Sequence, residues 1–223
     1  MAPSDRPAVG VKIDCTHPSM KDLFSLDQQF EPIAIPDADV SILHEIEMPL
    51  PYDQMLRKLI EQTKWRQEAV RIYGKEHQQP RLVSLYADKG NRYDYSGISL
   101  HPLPWPDLLR EIKRRVEDCT NARFNAVFLN LYRDHSDSMG FHSDDERELG
   151  KNPLIASVTF GATRTFLMKH KFRKDLPLVK IPLESGTVLL MRGQTQHFWK
   201  HGINKQTQPC GPRVNLTFRT LYS

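Results

Sequence analysis

No uninterrupted apolar run of about 18 residues occurs in the 223-residue chain, so nothing in it reads as a membrane-spanning helix. Cysteine is scarce: Cys15, Cys119 and Cys210 are odd in number and far apart. That spacing fits a reducing compartment rather than a disulfide framework, and the lack of any Cys-x-x-Cys argues against a thiolate zinc site. The opening stretch MAPSDRPAVGVKID has no apolar segment of the kind a secretory signal needs. There is no internal repeat and no low-complexity tract.

Charge of one sign is short in each part of the chain. Residues 1–60 hold five Lys and Arg against ten Asp and Glu, whereas residues 61–223 hold 26 against 17. A basic body behind an acidic leader points to a polyanionic partner for the body, nucleic acid being the commonest.

Residues 1–50 are rich in Pro and Asp without clear periodicity, and read as a loosely ordered leader that reaches structure near Phe30 to Ile46. After Pro51, Tyr52, Met55, Leu56, Leu59 and Ile60 recur at helical spacing, which predicts a helix over 52–63. Trp65 to Leu85 predicts short strands with a hairpin tip at Tyr73-Gly74, and Gly90 to Leu100 a turn-rich loop. Pro102, Pro104 and Pro106 lead into a second helix, 107–119, with Leu108, Leu109, Ile112 and Val116 on its apolar face. From Phe124 the pattern becomes one of repeated short strands: 124–133, 155–161, 165–170, 179–183, 187–191 and 213–221. Two helices followed by many short strands predict an α+β chain, mostly β. The architecture expected is an antiparallel double-sheet jelly roll with helical support.

The densest group of polar chemistry is NAVFLNLYRDHSDSMGFHSDDE, Asn125 to Glu146, which holds two His-x-Asp triplets, at 135–137 and 142–144. Nine His and 27 acidic residues make about one such triplet expected by chance, so the triplet gains meaning only from its surroundings. On a jelly roll, a His-x-Asp with a distant His suggests the two-His, one-carboxylate triad that leaves positions open on Fe(II). His170, His197 and His201 are the candidates for the distant ligand. His201 follows the apolar GTVLLMRG and the aromatic pair Phe198-Trp199. Downstream, in PRVNLTFR, Arg213, Asn215, Thr217 and Arg219 alternate with Val214, Leu216 and Phe218 and so share one face of a strand. Two guanidiniums on an inner face suit a dicarboxylate, which the arginine fork binds through two parallel hydrogen bonds.

These stretches together resemble the AlkB family of Fe(II)- and 2-oxoglutarate-dependent dioxygenases, particularly the members that repair duplex DNA. The resemblance runs from about Arg71 to Tyr222 through RIYGKEHQQPR, YDYSG, PLPWPDLL, FNAVFLNLYRD, HSDDE, IASVTFGATRTF, GTVLLMRG, HFWKH and PRVNLTFR, and no motif residue departs from it. The first fifty residues resemble nothing familiar. With the acidic leader 1–50 read from composition, the chain divides further into helices with a nucleotide-recognition lid over 51–123 and, as the resemblance implies, a double-stranded β-helix core over 124–223. It implies that His142, Asp144 and His201 bind iron, since the family's triplet runs into Asp145-Glu146, and that His135 is a surface residue. It places 2-oxoglutarate against Asn130, Tyr132, Arg213, Asn215, Thr217 and Arg219. Arg213 and Tyr132 would lie at the distal carboxylate, with Asn130, Asn215 and Arg219 nearer the keto-acid end.

With Fe(II), 2-oxoglutarate and O2, the implied reaction is hydroxylation of an N-methyl carbon on a DNA base, with 1-methyladenine and 3-methylcytosine as the implied lesions. Such a base must be flipped out of the duplex. Tyr93, Tyr95 and Ser96 would hold it opposite His142, and Asp145 and Glu146 would accept from its exocyclic amine. Tyr73 would fill the gap in the stack, and Arg81 and the basic run 169–174 would contact phosphates. RNA or protein as the target, and a catalytically dead nucleic-acid-binding protein, are the rival readings. The family's habit implies a monomer, nuclear in a nucleated cell and cytoplasmic in a bacterium.

Overall fold

The computed structural model describes residues 29–72, 75–90, 93–95, 98–100 and 102–222. In chain order the strands are β1 (Glu31–Pro32), β2 (Asp39–Leu43), β3 (Ala69–Ile72), β4 (Lys75–Gln78), β5 (Leu82–Ala87), β6 (Tyr93–Tyr95) and β7 (Ile98–Leu100). They continue with β8 (Ala126–Tyr132), β9 (Met139–His142), β10 (Ile155–Gly161), β11 (Arg164–His170), β12 (Val179–Leu183), β13 (Val188–Arg192), β14 (Trp199–Ile203) and β15 (Arg213–Arg219). Helix α1 spans Tyr52–Gln62, α2 Asp107–Thr120, and a single turn, α3, Thr195–Phe198.

Among the described residues these strands form a seven-stranded sheet in the order β1-β2-β13-β10-β15-β8-β5 and a four-stranded sheet in the order β12-β11-β14-β9. The pairs β3–β4 and β6–β7 stand apart as hairpins. The ladders are antiparallel. This is the jelly roll expected, and both helices lie within a residue of where the periodicity puts them.

The side-chain period of two divides the larger sheet's residues between its two faces. Val127, Leu129 and Leu131 of β8, Ala156, Val158 and Phe160 of β10, and Val214, Leu216 and Phe218 of β15 pack with Met55 and Leu59 of α1 and Leu109, Ile112 and Val116 of α2. Each of the Val, Leu, Ile, Met and Phe side chains among them contributes about 1.5–3 kcal/mol by leaving water. The opposite face meets the smaller sheet: Ile42, Ile155, Leu189 and Met191 cluster with Phe166, Met168, Ile181, Leu183, Trp199 and Ile203. Interrupting that second core are the polar members of β8, β10 and β15, and there the cleft opens.

Helix α2 stops where Asn121 turns left-handed (φ 49°), a conformation its short amide side chain tolerates, and the Asn121 N–H donates to the Glu117 carbonyl. Gly202 on β14 marks a close approach, since a Cβ there would lie 2.8 Å from the Met139 carbonyl oxygen on β9.

The structure corrects the sequence reading in three places. Residues 39–43, in the part of the leader expected to reach structure but with no element assigned to it, form a strand paired with β13 from Val188↔Leu43 to Arg192↔Asp39, and Val40, Ile42 and Leu43 are buried. Asp39-Val40-Ser41-Ile42-Leu43 is only five residues long, too short to announce a strand without the partner that covers it. Gly90 to Leu100, read as loop, contains the β6–β7 hairpin. Strands β9 and β14 were not expected as strands, and they carry two of the three proposed metal ligands.

Candidate active site

Two strand pairings build the site. In the smaller sheet β14 lies between β11 and β9, so that His201 faces His142 directly, and the two rings meet edge to face at 4.4 Å. In the larger sheet β15 lies between β10 and β8, aligning Asn215 with both Thr159 and Asn130, and Arg213 with Tyr132. Asp144 follows β9 by two residues. Its backbone N–H donates to Gln196 Oε1 (3.0 Å), and the neighbouring Ser143 hydroxyl donates to the Trp199 carbonyl (2.9 Å). The ligand-bearing loop is thereby tied to the turn that begins β14.

His142, Asp144 and His201 bring one ligand atom each to within 4.8 Å of one another, the only such group among the described residues. His142 Nε2 lies 3.7 Å from Asp144 Oδ1, and His201 Nε2 lies 3.8 Å from Oδ2. Arg219 Nη2 donates to Oδ1 at 2.9 Å, while Oδ2 is buried with no hydrogen-bond partner among the described residues. Burial alone would raise the Asp144 carboxyl, but Arg219, His201 and His142 outweigh it and hold it below the usual range. Burial pushes His142 down against the pull of Asp144, and pushes His201 down to about 3, with His142 adding to the effect. Two neutral imidazoles and one carboxylate are the protonation states a divalent metal requires, and their spacing fits a single ion. Phe166 stacks on the His201 ring at 5.1 Å and fixes its plane.

Beside this group lies a narrow cleft between the sheets, about 30 Å³ in volume. Asn130, Tyr132, Arg213, Asn215, Thr217 and Arg219 line it with the three ligands, so every residue expected at the metal or at 2-oxoglutarate meets in one place. Arg213, 1% exposed, donates Nη2 to Thr159 Oγ1 and Asn215 Oδ1, both at 2.8 Å. Its Nε and Nη1 are buried without an acceptor among the described residues, so this guanidinium still has donors for an anion. Burial pushes the Arg213 guanidinium down to about 10, still charged at neutral pH. The donor set therefore fits a metal, and the buried arginine fits the carboxylate of a small acid.

Other expectations fare differently. The triplet at 135–137 is structural: Asp137 is buried and accepts from Arg133 N, Nε and Nη2, while His135 is half-buried and gives its carbonyl to Gln206. His170 accepts the Phe172 and Arg173 backbone N–H groups on Nδ1, and His197 bonds Asn152, so neither rival to His201 reaches the site. Arg81, expected at a phosphate, is buried and donates Nε to Asn130 Oδ1 at 2.7 Å; a guanidinium enclosed in this way supports the cleft wall instead. Within the run 169–174, His170 is buried, Arg173 pairs with Asp175, and Lys171 Nζ holds Asp145 Oδ2 (3.0 Å) and the Gln196 carbonyl (2.8 Å), while Lys169 and Lys174 are exposed. Glu146 is half-buried and burial raises its carboxyl. Tyr93 and Tyr95 lie on β6, whereas Tyr73 and Ser96 fall outside the described residues. The sequence reading missed Met139, Ser157, Phe166 and Met191 in the cleft and Gln196 behind it. Of these only Ser157 had a visible signal, sharing a strand face with Thr159 and alternating with Val158 and Phe160 in IASVTFG.

Residues 39–219 match the family model described as 2OG-Fe(II) oxygenase superfamily. Human alpha-ketoglutarate-dependent dioxygenase alkB homolog 3 is 43% identical over 178 residues, covering 76% of this chain and 62% of that protein. Mouse DNA oxidative demethylase ALKBH2 is 38% identical over 178 residues, covering 76% and 74%. The chain thus spans about three fifths of the length of its alkB homolog 3 relatives. The solved structure titled "The structure of OsALKBH1" superimposes with a TM-score of 0.59 at 16% identity, over 86% of this chain and all of that one, a likeness of fold. Fe(II), with 2-oxoglutarate and O2, is the cofactor set of the matched family, and the His142–Asp144–His201 group is present to receive the metal. The chain belongs to the 2OG-Fe(II) oxygenase superfamily and, within it, to the AlkB family of dioxygenases.

Proposed function

We propose that this chain removes alkyl groups from DNA bases by oxidative dealkylation, with 1-methyladenine and 3-methylcytosine as substrates. The observation that carries the reading is the convergence of His142, Asp144 and His201 beside a buried arginine with two N–H groups to spare, in a single inter-sheet cleft. Bound there, Fe(II) with 2-oxoglutarate and O2 supplies the oxidising chemistry that hydroxylates an N-methyl carbon, yielding formaldehyde, succinate, CO2 and the restored base.

The chain's own part is binding, orientation and exclusion of water. His142, Asp144 and His201 would hold the metal, and Arg219 fixes the Asp144 carboxylate through Oδ1, leaving Oδ2 without a hydrogen-bond partner among the described residues. Arg213 would take the distal carboxylate of 2-oxoglutarate, with Thr159 and Asn215 holding its other edge in register. Asn130, Tyr132 and Thr217 shape the walls. Tyr93 and Tyr95 would stack against a flipped base, with Tyr73 filling the vacated place in the duplex. Asp145, held by Lys171, and Glu146 stand next to the ligand loop, where an exocyclic amine would need an acceptor. Among the described residues no helix is long and apolar enough to cross a membrane.

The test compares 3-methylcytosine in single- and double-stranded oligomers of DNA and of RNA, with Fe(II), 2-oxoglutarate and ascorbate, reading formaldehyde. Release from both DNA forms, with Tyr73→Ala losing activity on the duplex alone, is the expected result. Release from RNA only would move the substrate class. Consumption of 2-oxoglutarate with no release from any oligomer would end the base-repair reading.

A further inference from the structure

Arg164, the first residue of β11, is 1% exposed and has no part in the site as described so far. It donates Nη1 to the Asp134 carbonyl (3.1 Å) and Nη2 to the carbonyls of Asp137 (2.8 Å) and Asn204 (2.6 Å). Asp134 and Asp137 lie in the turn leaving β8, just beyond Tyr132, and Asn204 immediately follows β14, three residues beyond His201. One guanidinium therefore joins the segments that leave the two strands supplying a cleft wall and a metal ligand.

The same guanidinium lies 5.5 Å from the centre of the Tyr132 ring, and that of Arg213 lies 5.2 Å from it. Tyr132 is itself buried, and its hydroxyl points to Met139 Sδ at 3.6 Å. Two buried cations thus share one aromatic ring. Arg164 spends its Nη groups on neutral carbonyls and leaves Nε buried without an acceptor, Arg213 spends Nη2 on Thr159 and Asn215, and neither forms an ion pair among the described residues. Burying two uncompensated positive charges in one wall is unfavourable unless an anion joins them. Because Arg164 does not line the cleft and its Nη contacts all go to main chain, it acts through Tyr132 and Arg213 and not by touching the anion.

We propose that Arg164 is a positioning residue for 2-oxoglutarate, holding Tyr132 and the two flanking turns so that Arg213 presents its free N–H donors to the distal carboxylate and adding a second positive charge behind it. The proposal rests on the reading that Arg213 receives that carboxylate. Arg164 is expected to govern affinity for the dicarboxylate while leaving affinity for the metal and for nucleic acid alone.

The experiment uses the full chain loaded with Mn(II) under anaerobic conditions, with 2-oxoglutarate titrated by calorimetry. Mn(II) affinity is read separately by electron paramagnetic resonance, and binding of a 3-methylcytosine oligomer by fluorescence anisotropy. Arg164→Gln, which loses the charge and most of the carbonyl bonds, is expected to weaken 2-oxoglutarate by about tenfold or more. Arg164→Lys, which keeps the charge but cannot span three carbonyls, is expected to weaken it less, and both are expected to leave Mn(II) and oligomer affinity as in the wild type. If the glutamine variant does not fold, the lysine variant decides. A folded variant that binds 2-oxoglutarate as the wild type does, or one that loses Mn(II), oligomer and 2-oxoglutarate affinity in proportion, overturns the proposal. A wild type that fails to take up 2-oxoglutarate while binding Mn(II) sinks the Arg213 reading itself, and this proposal with it.

Discussion

Arg219 donates to Asp144 Oδ1, and the side chains of both are at most 4% exposed. Before a metal arrives this arginine is the principal compensation for the buried carboxylate; afterwards the metal shares that task. Arg219→Met should therefore destabilise the metal-free protein by about 3–5 kcal/mol, the usual consequence of removing one partner of a buried pair. Addition of Mn(II) should recover more of that loss in the variant than it adds to the wild type, as measured by chemical denaturation with and without metal. His201 gives the complementary pH prediction. Its folded pKa, about 3, lies below the ordinary 6.5, so between these values the unfolded chain binds a proton that the folded chain does not. The stability this represents is complete above pH 6.5 and is lost as pH falls toward 3, amounting to about 2 kcal/mol between pH 7 and 5. His142 shifts in the same direction. Metal-free His201→Asn should accordingly lose less stability than the wild type over that interval, and an identical loss would show that His201 titrates normally.

At the scale of elements, β9 and β14 matter most, because their pairing sets the distance between the two histidines. Gly202 lets them meet: a Cβ there would sit 2.8 Å from the Met139 oxygen and 3.2 Å from two atoms of Gly140, all of them main chain that cannot swing aside. Gly202→Ala should displace β9, costing about 1–3 kcal/mol of stability, and should weaken Mn(II) binding as His142 moves off its place. Unchanged Mn(II) affinity would mean that the strand spacing is not what sets the ligand geometry. These two strands were also the least legible in the sequence. Met139-Gly140-Phe141-His142 is four residues long with a glycine inside, and Trp199 to Ile203 follows a helical turn without a break; neither carries an alternating run long enough to read. By contrast β15 declared itself, since Val214, Leu216 and Phe218 face the helices and Arg213, Asn215, Thr217 and Arg219 face the cleft, as the period of two requires. Arg81 misled because a lone arginine in a polar loop looks solvated until a partner such as Asn130 is known.

Over the whole molecule, two sheets pinned together by apolar clusters leave one polar interruption, and all the proposed metal and cosubstrate residues fall in it. The motifs carried this much because each of them lies on a strand whose neighbours fix its direction. What they did not show was the supporting layer of Ser157, Phe166, Gln196 and Arg164, whose roles arise from contacts between strands distant in sequence. Nor did they show that β2, read as leader, closes the edge of β13. The central claim, that this interruption holds an iron and 2-oxoglutarate and strips methyl groups from DNA bases, meets its most direct test in a paired product measurement. Formaldehyde and succinate would be quantified together from a duplex bearing one 3-methylcytosine, for the wild type and for Asp144→Ala. Equal amounts of both from the wild type, with neither from the variant, is the result predicted. Formaldehyde persisting in Asp144→Ala, or succinate from the wild type with no formaldehyde, would contradict it.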